Sequence, residues 1–591
     1  MAVLVRCVVA FSLAAWVWGT MEGAAAEYVV DGENPAASDS NPGTGELPLK
    51  TIQRAAERVG PGDTVWVMAG AYKGRVTFTE GRSGADGKPI RFVARPRPAV
   101  TMQGFDTTCC NHLRIEGFVI TPDEGEDRPG NIGIRIASDH VEVLDNVFVK
   151  NRWLAVAGRS YAADGFSKAS GARVAFNRIE QCGAGVYISG RQWRVERNEI
   201  TRMVASMRGA DCDYTRVFGV GHIVRDNRFH GSTRTEIGKS HIDGLQYYNV
   251  NKDYGCDIRY ERNVIFDCGQ GVFVGNGKDS LNETRRWTFL ENIISHTPGS
   301  DVAGSKGISA VRVSEVSALY NTIVDKGLFG ISIHYCSDST ILGNICSQLS
   351  GSGYDGADLE RLTNDYNLLH EARKPRLATP GEHDAVGVDP MFVDAANRNF
   401  RLKPGSPAIG AGPQGRTLGA LPWPNVYYVD CRHPGADDEG FGYPGWPFRT
   451  VKAALDVVRA GETIVLRDGT YRECIAPQVD GIVLRAAEGE AVTVTGADLV
   501  TGWQRDGDGW SAPLAAAPKA VLRDGQPLGD FRYDAKAARL RVTGFDPRMC
   551  DVEVPTRNHA VDLSGVRDVA VTGLQTAHTL GEPVVGPKSG D

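Results

Sequence analysis

The sequence predicts a right-handed parallel β-helix, and three observations carry that reading. Eight asparagines recur in one local setting, Asn146, Asn177, Asn198, Asn227, Asn263, Asn292, Asn321 and Asn344, each opening a short apolar stretch such as Asn263-Val-Ile or Asn321-Thr-Ile. Between them a glycine followed by alternating apolar residues repeats, as in Gly133-Ile-Arg-Ile136, Gly185-Val-Tyr-Ile188, Gly271-Val-Phe-Val274 and Gly330-Ile-Ser-Ile333. The spacing of roughly 21 to 36 residues is that of stacked solenoid repeats. No repeat holds a second segment of helical period, so the unit consists of short strands and turns. Such a unit satisfies its backbone by bonding to the repeats above and below, giving parallel sheets around an apolar lumen. Asparagine suits the turn because it tolerates left-handed backbone and because stacked amides bond to one another. The asparagines are therefore structural ladder residues that set the register. Alignment on them puts Arg135, Tyr187, Gln246, Phe273, Arg312 and Ser332 in one outward column, and Ala137, Ser189, Tyr248, Gly275, Ser314 and His334 in a second.

Ahead of the repeats, Arg6, the apolar run Cys7 to Trp18 and Glu22-Gly-Ala-Ala-Ala26 follow the order of a secretory signal over residues 1–26. The run is short of a membrane span, and no later segment is long and apolar enough to cross a bilayer. The expected location is secreted or periplasmic. From Tyr28 a strand leads to a Gly/Pro/Asn loop, a short amphipathic helix around residues 49 to 59, and the strand Asp63-Thr-Val-Trp-Val. A helix there caps the first apolar rung. The series returns as Tyr427-Tyr-Val-Asp, Pro447-Phe-Arg-Thr-Val-Lys-Ala-Ala-Leu, Gly461-Glu-Thr-Ile-Val-Leu and Gly469-Thr-Tyr. The expected units are the β-helix over 27–422 and a second, partial β-helix module over 423–591.

These duplicated openings resemble those of bacterial extracellular right-handed β-helix proteins of the pectate-lyase-like superfamily, which include family 9 polysaccharide lyases and β-helix glycoside hydrolases. The stretch Asn397-Arg-Asn-Phe-Arg-Leu-Lys-Pro-Gly-Ser-Pro-Ala-Ile-Gly-Ala-Gly, with Leu418-Gly-Ala, is similar to the end segment common in that group. The resemblance spans 28 to about 420 and implies the fold; one fold carries many activities. It also implies a small β-sandwich insertion at roughly 503 to 560.

At 591 residues and 42% hydrophobic content the chain buries a large core and holds more than one domain. A net charge of -7 over that length gives no electrostatic case for nucleic acid, and a monomer is expected. Of 12 cysteines, Cys7 leaves with the leader. Export permits disulfides, with Cys212 and Cys256 the favoured pair. Cys182 and Cys268 follow their ladder asparagines at the same offset and read as inward-facing apolar residues.

Reactive residues concentrate in Glu236-Ile-Gly-Lys239-Ser-His241-Ile-Asp243-Gly-Leu-Gln246-Tyr-Tyr248, preceded by Arg208, Asp211-Cys-Asp213-Tyr214 and Arg216 and followed by Asn251-Lys-Asp-Tyr254. Insertions beside one rung build a cleft. Arg and Lys there hold uronate carboxylates and Tyr packs on sugar rings, so a polysaccharide is the expected partner, with Gln246, Tyr248, Tyr187, Arg312 and Lys278 as its contacts. In β-elimination, Lys239 or His241 would take the proton, and Asp243 with Asp211 or Asp213 would hold Ca²⁺. In hydrolysis, two carboxylates among Asp243, Asp211, Asp213 and Glu236 would flank the bond. The third reading is a non-catalytic glycan-binding β-helix; a uronate lyase is the leading one. Family 9 lyases carry an Asn-x-Asp-Gly-apolar segment, contributing a calcium ligand, where this chain has His241-Ile-Asp243-Gly-Leu. Their following aspartate cluster is replaced here by Cys268-Gly-Gln-Gly-Val-Phe.

Overall fold

The computed structural model describes residues 25–123, 131–158, 169–205, 211–249, 255–278, 284–302, 304–373 and 381–586. The leader lies outside them except for its last two residues, as do Arg208, residues 251–254 and Asp279.

A 34-stranded system of parallel pairings spans the first part of the chain. Three inward columns run along it. One passes through Val143, Val174, Val195, Val224, Tyr260, Phe289, Ala318 and Ile341. A second passes through Phe148, Ile179, Ile200, Phe229, Ile265, Ile294, Ile323, Cys346 and Leu369. The third runs through Val156, Val186, Thr215, Leu245, Val272, Ile308, Ile331 and Tyr354. All are buried and nearly all are apolar, which is the lumen of a parallel β-helix. The short helix Ile52–Ala56 turns Ile52, Ala55 and Ala56 into the same core.

The asparagine ladder is continuous. Asn227 Nδ2, for example, donates to Asn263 Oδ1 at 2.9 Å and to the Val195 carbonyl at 2.9 Å, while its backbone N–H meets the same Asn263 oxygen at 3.1 Å. The pattern recurs from Asn146 to Asn344 and then extends to Asn367, a ninth member beyond the eight, 23 residues further on. It ends on Asp384 Oδ1, which accepts from both Asn367 nitrogens. The left-handed residue of each turn is not the asparagine but the one before it: Asp145, Phe176, Arg197, Asp226, Arg262, Glu291, Tyr320 and Tyr366 all have φ between 52° and 61°. The asparagine is retained for its amide, which satisfies buried backbone groups of two rungs at once.

The outward columns also need correction. The first runs Arg135, Ala157, Tyr187, Arg216, Gln246, Phe273, Ser309, Ser332. Ser309 takes the place expected for Arg312, which lies in the turn beyond the strand with its guanidinium 4.5 Å from the Tyr335 ring. In the second column Val311 stands where Ser314 was expected, between Gly275 and His334. Ser314 opens a strand of the neighbouring run.

From Val426 a second parallel stack begins, with Val426–Val429, Thr463–Leu466 and Val483–Ala486 in register. Two four-stranded antiparallel sheets follow, enclosing Val500, Ala512, Val521 and Leu540. The parallel stack then resumes, Ala570–Thr572 pairing with Val483–Ala486. A buried charge network joins this part to the outside of the ladder. Arg197 Nε meets Asp430 at 2.6 Å, and Asp226 receives Arg262 at 2.8 Å and Arg467 at 3.3 Å.

Cys182 and Cys268 are buried in the lumen. Cys212 and Cys256 are not bonded to each other. Cys212 also points into the lumen, its thiol 3.5 Å from the Val204 carbonyl, whereas Cys256 sits on a partly exposed strand position beside Val220.

Candidate functional site

The reactive stretch is held by a short helix and two lumen anchors. Thr233 caps Arg234–Ile237, and Glu236 closes the capping box on the Thr233 backbone. Glu236 Oε1 also takes Arg202 at 2.9 Å, so this carboxylate is structural and not part of a reacting pair. Ile237 and Ile242 are buried in the lumen, which turns Lys239 and His241 outward between them. Asp243 then opens the strand Asp243–Asn249.

Rung stacking brings three consecutive turns together. The Cys212 N–H donates to the His241 carbonyl at 2.7 Å, the Tyr214 N–H to the Asp243 carbonyl at 2.9 Å, and the Gly269 N–H to the Ile242 carbonyl at 2.7 Å. Asp213 therefore lies directly beside Asp243, accepting the Asp243 N–H on Oδ1 at 2.9 Å. Asp243 Oδ1 accepts the Gln270 N–H at 3.0 Å, and its Oδ2 faces Gln246 Nε2 and His241 Nδ1, each at 3.4 Å. One donor atom from each of Asp213, His241 and Asp243 falls within 4.8 Å of the others. Both carboxylates have no exposed surface, whereas the His241 side chain is 44% exposed. Gly269 leaves room for the imidazole, since a Cβ there would stand 3.3 Å from Nε2.

Burial, then the charge of Asp213, pushes the Asp243 carboxyl well above the usual range. Burial also raises Asp213, against the pull of Arg216. Arg216 Nε reaches Asp213 at 2.6 Å and its Nη2 reaches Asp211 at 2.7 Å. Asp211 is thereby turned to Arg216 and is not within the donor group, where His241 takes its place. Arg216 itself lies in the outward column one rung from Gln246. Its rung lacks the glycine that marks the others, so the repeat pattern did not place it there; the Thr-Arg-Val alternation was the available signal.

Of the other expected contacts, Tyr248 is 46% exposed beside Phe273, with ring centroids 6.0 Å apart. Gln246 is half-buried, and Lys239 and Lys278 are exposed. Tyr187 faces outward but is covered, packed with Leu154, Ala157 and Ala184 under Arg216. Arg312 is off the column, as described above. Farther along the same face His334 Nε2 lies 2.9 Å from Asp355 Oδ2.

The donor set of two carboxylates and one imidazole fits a divalent cation, which would relieve the repulsion between the buried carboxyls. A nitrogen donor in place of the third carboxylate departs from the all-oxygen set calcium prefers.

No family model matches the chain. An uncharacterized Bacillus subtilis protein, YwoF, is 24% identical over 437 residues, 64% of this chain and 91% of that one. A PL6 family polysaccharide lyase from Pseudopedobacter saltans superposes with a TM-score of 0.42 at 13% identity, covering 62% of this chain and 96% of its own. Pectate lyase Pel9A gives 0.36 at 15%, covering 68% and 97%. The architecture rests on the strand register itself. No helix among the described residues is long and apolar enough to cross a membrane.

Proposed function

We propose that the chain is a secreted polysaccharide lyase that cleaves a uronate-containing chain by β-elimination at the Asp213, Arg216, His241 and Asp243 cluster. The observation that carries this reading is the placement of Arg216 and the exposed His241 imidazole on adjacent rungs of the outward face, Arg216 held by Asp213 and Asp211 and His241 beside Asp243. Elimination needs a base for the proton next to the uronate carboxylate and positive charge to make that proton acidic. His241 serves as the base: Asp243 packs beside the ring and positions it, and the exposed part of the imidazole meets the substrate. Arg216, fixed by Asp213 and Asp211, takes the uronate carboxylate, and Gln246 and Tyr248 line the path of the chain. A divalent cation held by Asp213, His241 and Asp243 would supply further charge to the same carboxylate and would leave Lys239 as the nearest base in sequence. Hydrolysis by the aspartate pair is disfavoured, since the carboxylates that flank a glycosidic bond open onto the substrate cleft, and the Asp213 and Asp243 side chains have no exposed surface.

Incubation with pectic, alginate and glycosaminoglycan polymers, with a divalent cation and with chelator, should give a rising ultraviolet signal from unsaturated uronide. His241→Ala and Asp243→Asn should each reduce the rate at least about a hundredfold, the scale of a lost general base or its orienting partner. New reducing ends without ultraviolet signal would replace the reading with hydrolysis; neither product would replace it with glycan binding.

A further inference from the structure

A second group of polar and aromatic side chains stands farther along the outward face that carries the Asp243 cluster. In register, Tyr248 is followed by Gly275, Val311 and His334. His334 is thus three rungs from Tyr248, about 14 Å away at roughly 4.8 Å per strand. Its Nε2 lies 2.9 Å from Asp355 Oδ2, which holds the ring, and its Nδ1 has no hydrogen-bond partner among the described residues. The turns that follow these strands place Arg312 and Tyr335 on neighbouring rungs, both with left-handed backbone at φ 57° and 56°. The Arg312 guanidinium lies over the Tyr335 ring, 4.5 Å from its centroid, and Tyr335 is 51% exposed. Arg286 and Arg361 share the left-handed backbone, but each meets an aspartate, Asp257 and Asp338. Arg312 forms no ion pair and no side-chain hydrogen bond among the described residues, and its nitrogens are not buried. A guanidinium stacked on an aromatic ring has its plane fixed and its N–H edge free, the arrangement that takes a carboxylate through two parallel bonds.

We infer that Arg312, Tyr335 and His334 form a distal subsite for a second uronate residue of the same polysaccharide chain, with its carboxylate on the Arg312 fork and a sugar hydroxyl at His334 Nδ1. The inference rests on the elimination reading proposed above and extends it: the protein grips a run of several sugar residues, so a polymer is held more tightly than a short fragment. The Tyr248 and Phe273 rings lie between the two sites and carry the intervening sugars. An acidic chain is selected over a neutral one, because only the former brings the open guanidinium a counter-charge.

Affinity electrophoresis of the whole chain through gels holding polygalacturonate, alginate or hyaluronate tests it, with dextran as the neutral control and with His241→Ala in every sample so that the polymer stays intact. At least one uronate polymer should retard the protein, and dextran should not. Added to that background, Arg312→Gln and Tyr335→Ala should each weaken the retardation at least about tenfold, a difference of about 1.4 kcal/mol. Arg312→Lys keeps the charge but loses the fork and should weaken it less. Melting temperatures should stay near that of the background protein, since Arg312 and Tyr335 lie outside the lumen. In the active enzyme, Arg312→Gln should raise KM for the retarding polymer about tenfold and leave kcat within about twofold, the pattern of binding lost away from the reacting bond. Retardation unchanged in both variants, or matched in dextran, overturns the inference, while unsaturated product would still uphold the elimination reading. A fall in kcat at constant KM also overturns it, by placing Arg312 at the reacting bond. Absence of retardation by all three polymers overturns it as well, and absence of unsaturated product removes the reading on which it rests.

Discussion

Asp213 and Asp243 place two carboxyls side by side without exposed surface, and repulsion in such a medium is relieved by a proton or by a cation. The raised Asp243 value has a defined consequence for stability. Above the ordinary 3.8 of the unfolded chain, the folded state holds a proton that the unfolded state has released. Stability from this group is therefore complete below 3.8 and falls as pH rises toward the raised folded value. Asp243→Asn carries no ionisable proton at this position, so in chelator its melting temperature should exceed that of wild type near neutral pH, and the gain should shrink on acidification. A divalent cation should reverse the order, since only wild type keeps both carboxylates to bind it. Thermal melts across pH, with and without cation, check both signs; parallel profiles for the two proteins would mean that the two carboxyls are not coupled.

At the scale of the element, the ladder is the feature whose loss should be felt most. Asn227→Ala removes the Nδ2 bonds to Asn263 and to the Val195 carbonyl, and leaves the Asn198 N–H and amide without their acceptor. Each buried group left unsatisfied costs about 1–3 kcal/mol, so urea denaturation should show a loss of about 3 kcal/mol or more; a loss under about 1 kcal/mol would mean that water replaces the amide. Most of this architecture was legible in the sequence, because a buried amide needed at every turn leaves a periodic letter. Asn367 is less legible because Gly353-Tyr-Asp-Gly356 in its rung puts Asp355 and Gly356 where Ser332 and Ile333 continue the alternation one rung earlier. The slip at Arg312 arose because Ile308 to Val313 continues to alternate past the strand end, and periodicity alone does not say where a strand stops. Arg216 is hidden for another reason, since its rung has Tyr214 where the neighbouring rungs have glycine. The cluster was legible as a stretch, but the exchange of Asp211 for His241 was not, because it depends on which carboxylate Arg216 captures across the turn.

For the whole molecule, the joining of the second stack to the ladder depends on charges that the repeat pattern could not disclose, since the partners lie more than two hundred residues apart, as in Arg467 and Asp226 with a separation of 241. Burial works against the Asp226 carboxylate, yet the charges of Arg467 and then Arg262 hold it down to about 2. Its contribution is thus present above the ordinary 3.8 and is lost as pH falls toward about 2. The apolar part of the junction is formed by Trp446, edge-on to Phe266 at 6.1 Å and covered by Arg228 at 4.0 Å. Truncating one member of a buried ion network leaves the others unpaired, at a cost of about 3–5 kcal/mol. Asp226→Asn should therefore loosen the second stack before the first β-helix melts, because the lumen of the latter is closed by its own strand pairings and ladder. Scanning calorimetry should show the single wild-type transition divide into two in the variant, and acidification should lower the wild-type transition by more than it lowers the first transition of the variant. A single transition at the wild-type temperature would mean that the Trp446 contact holds the two parts together without help from the buried charges.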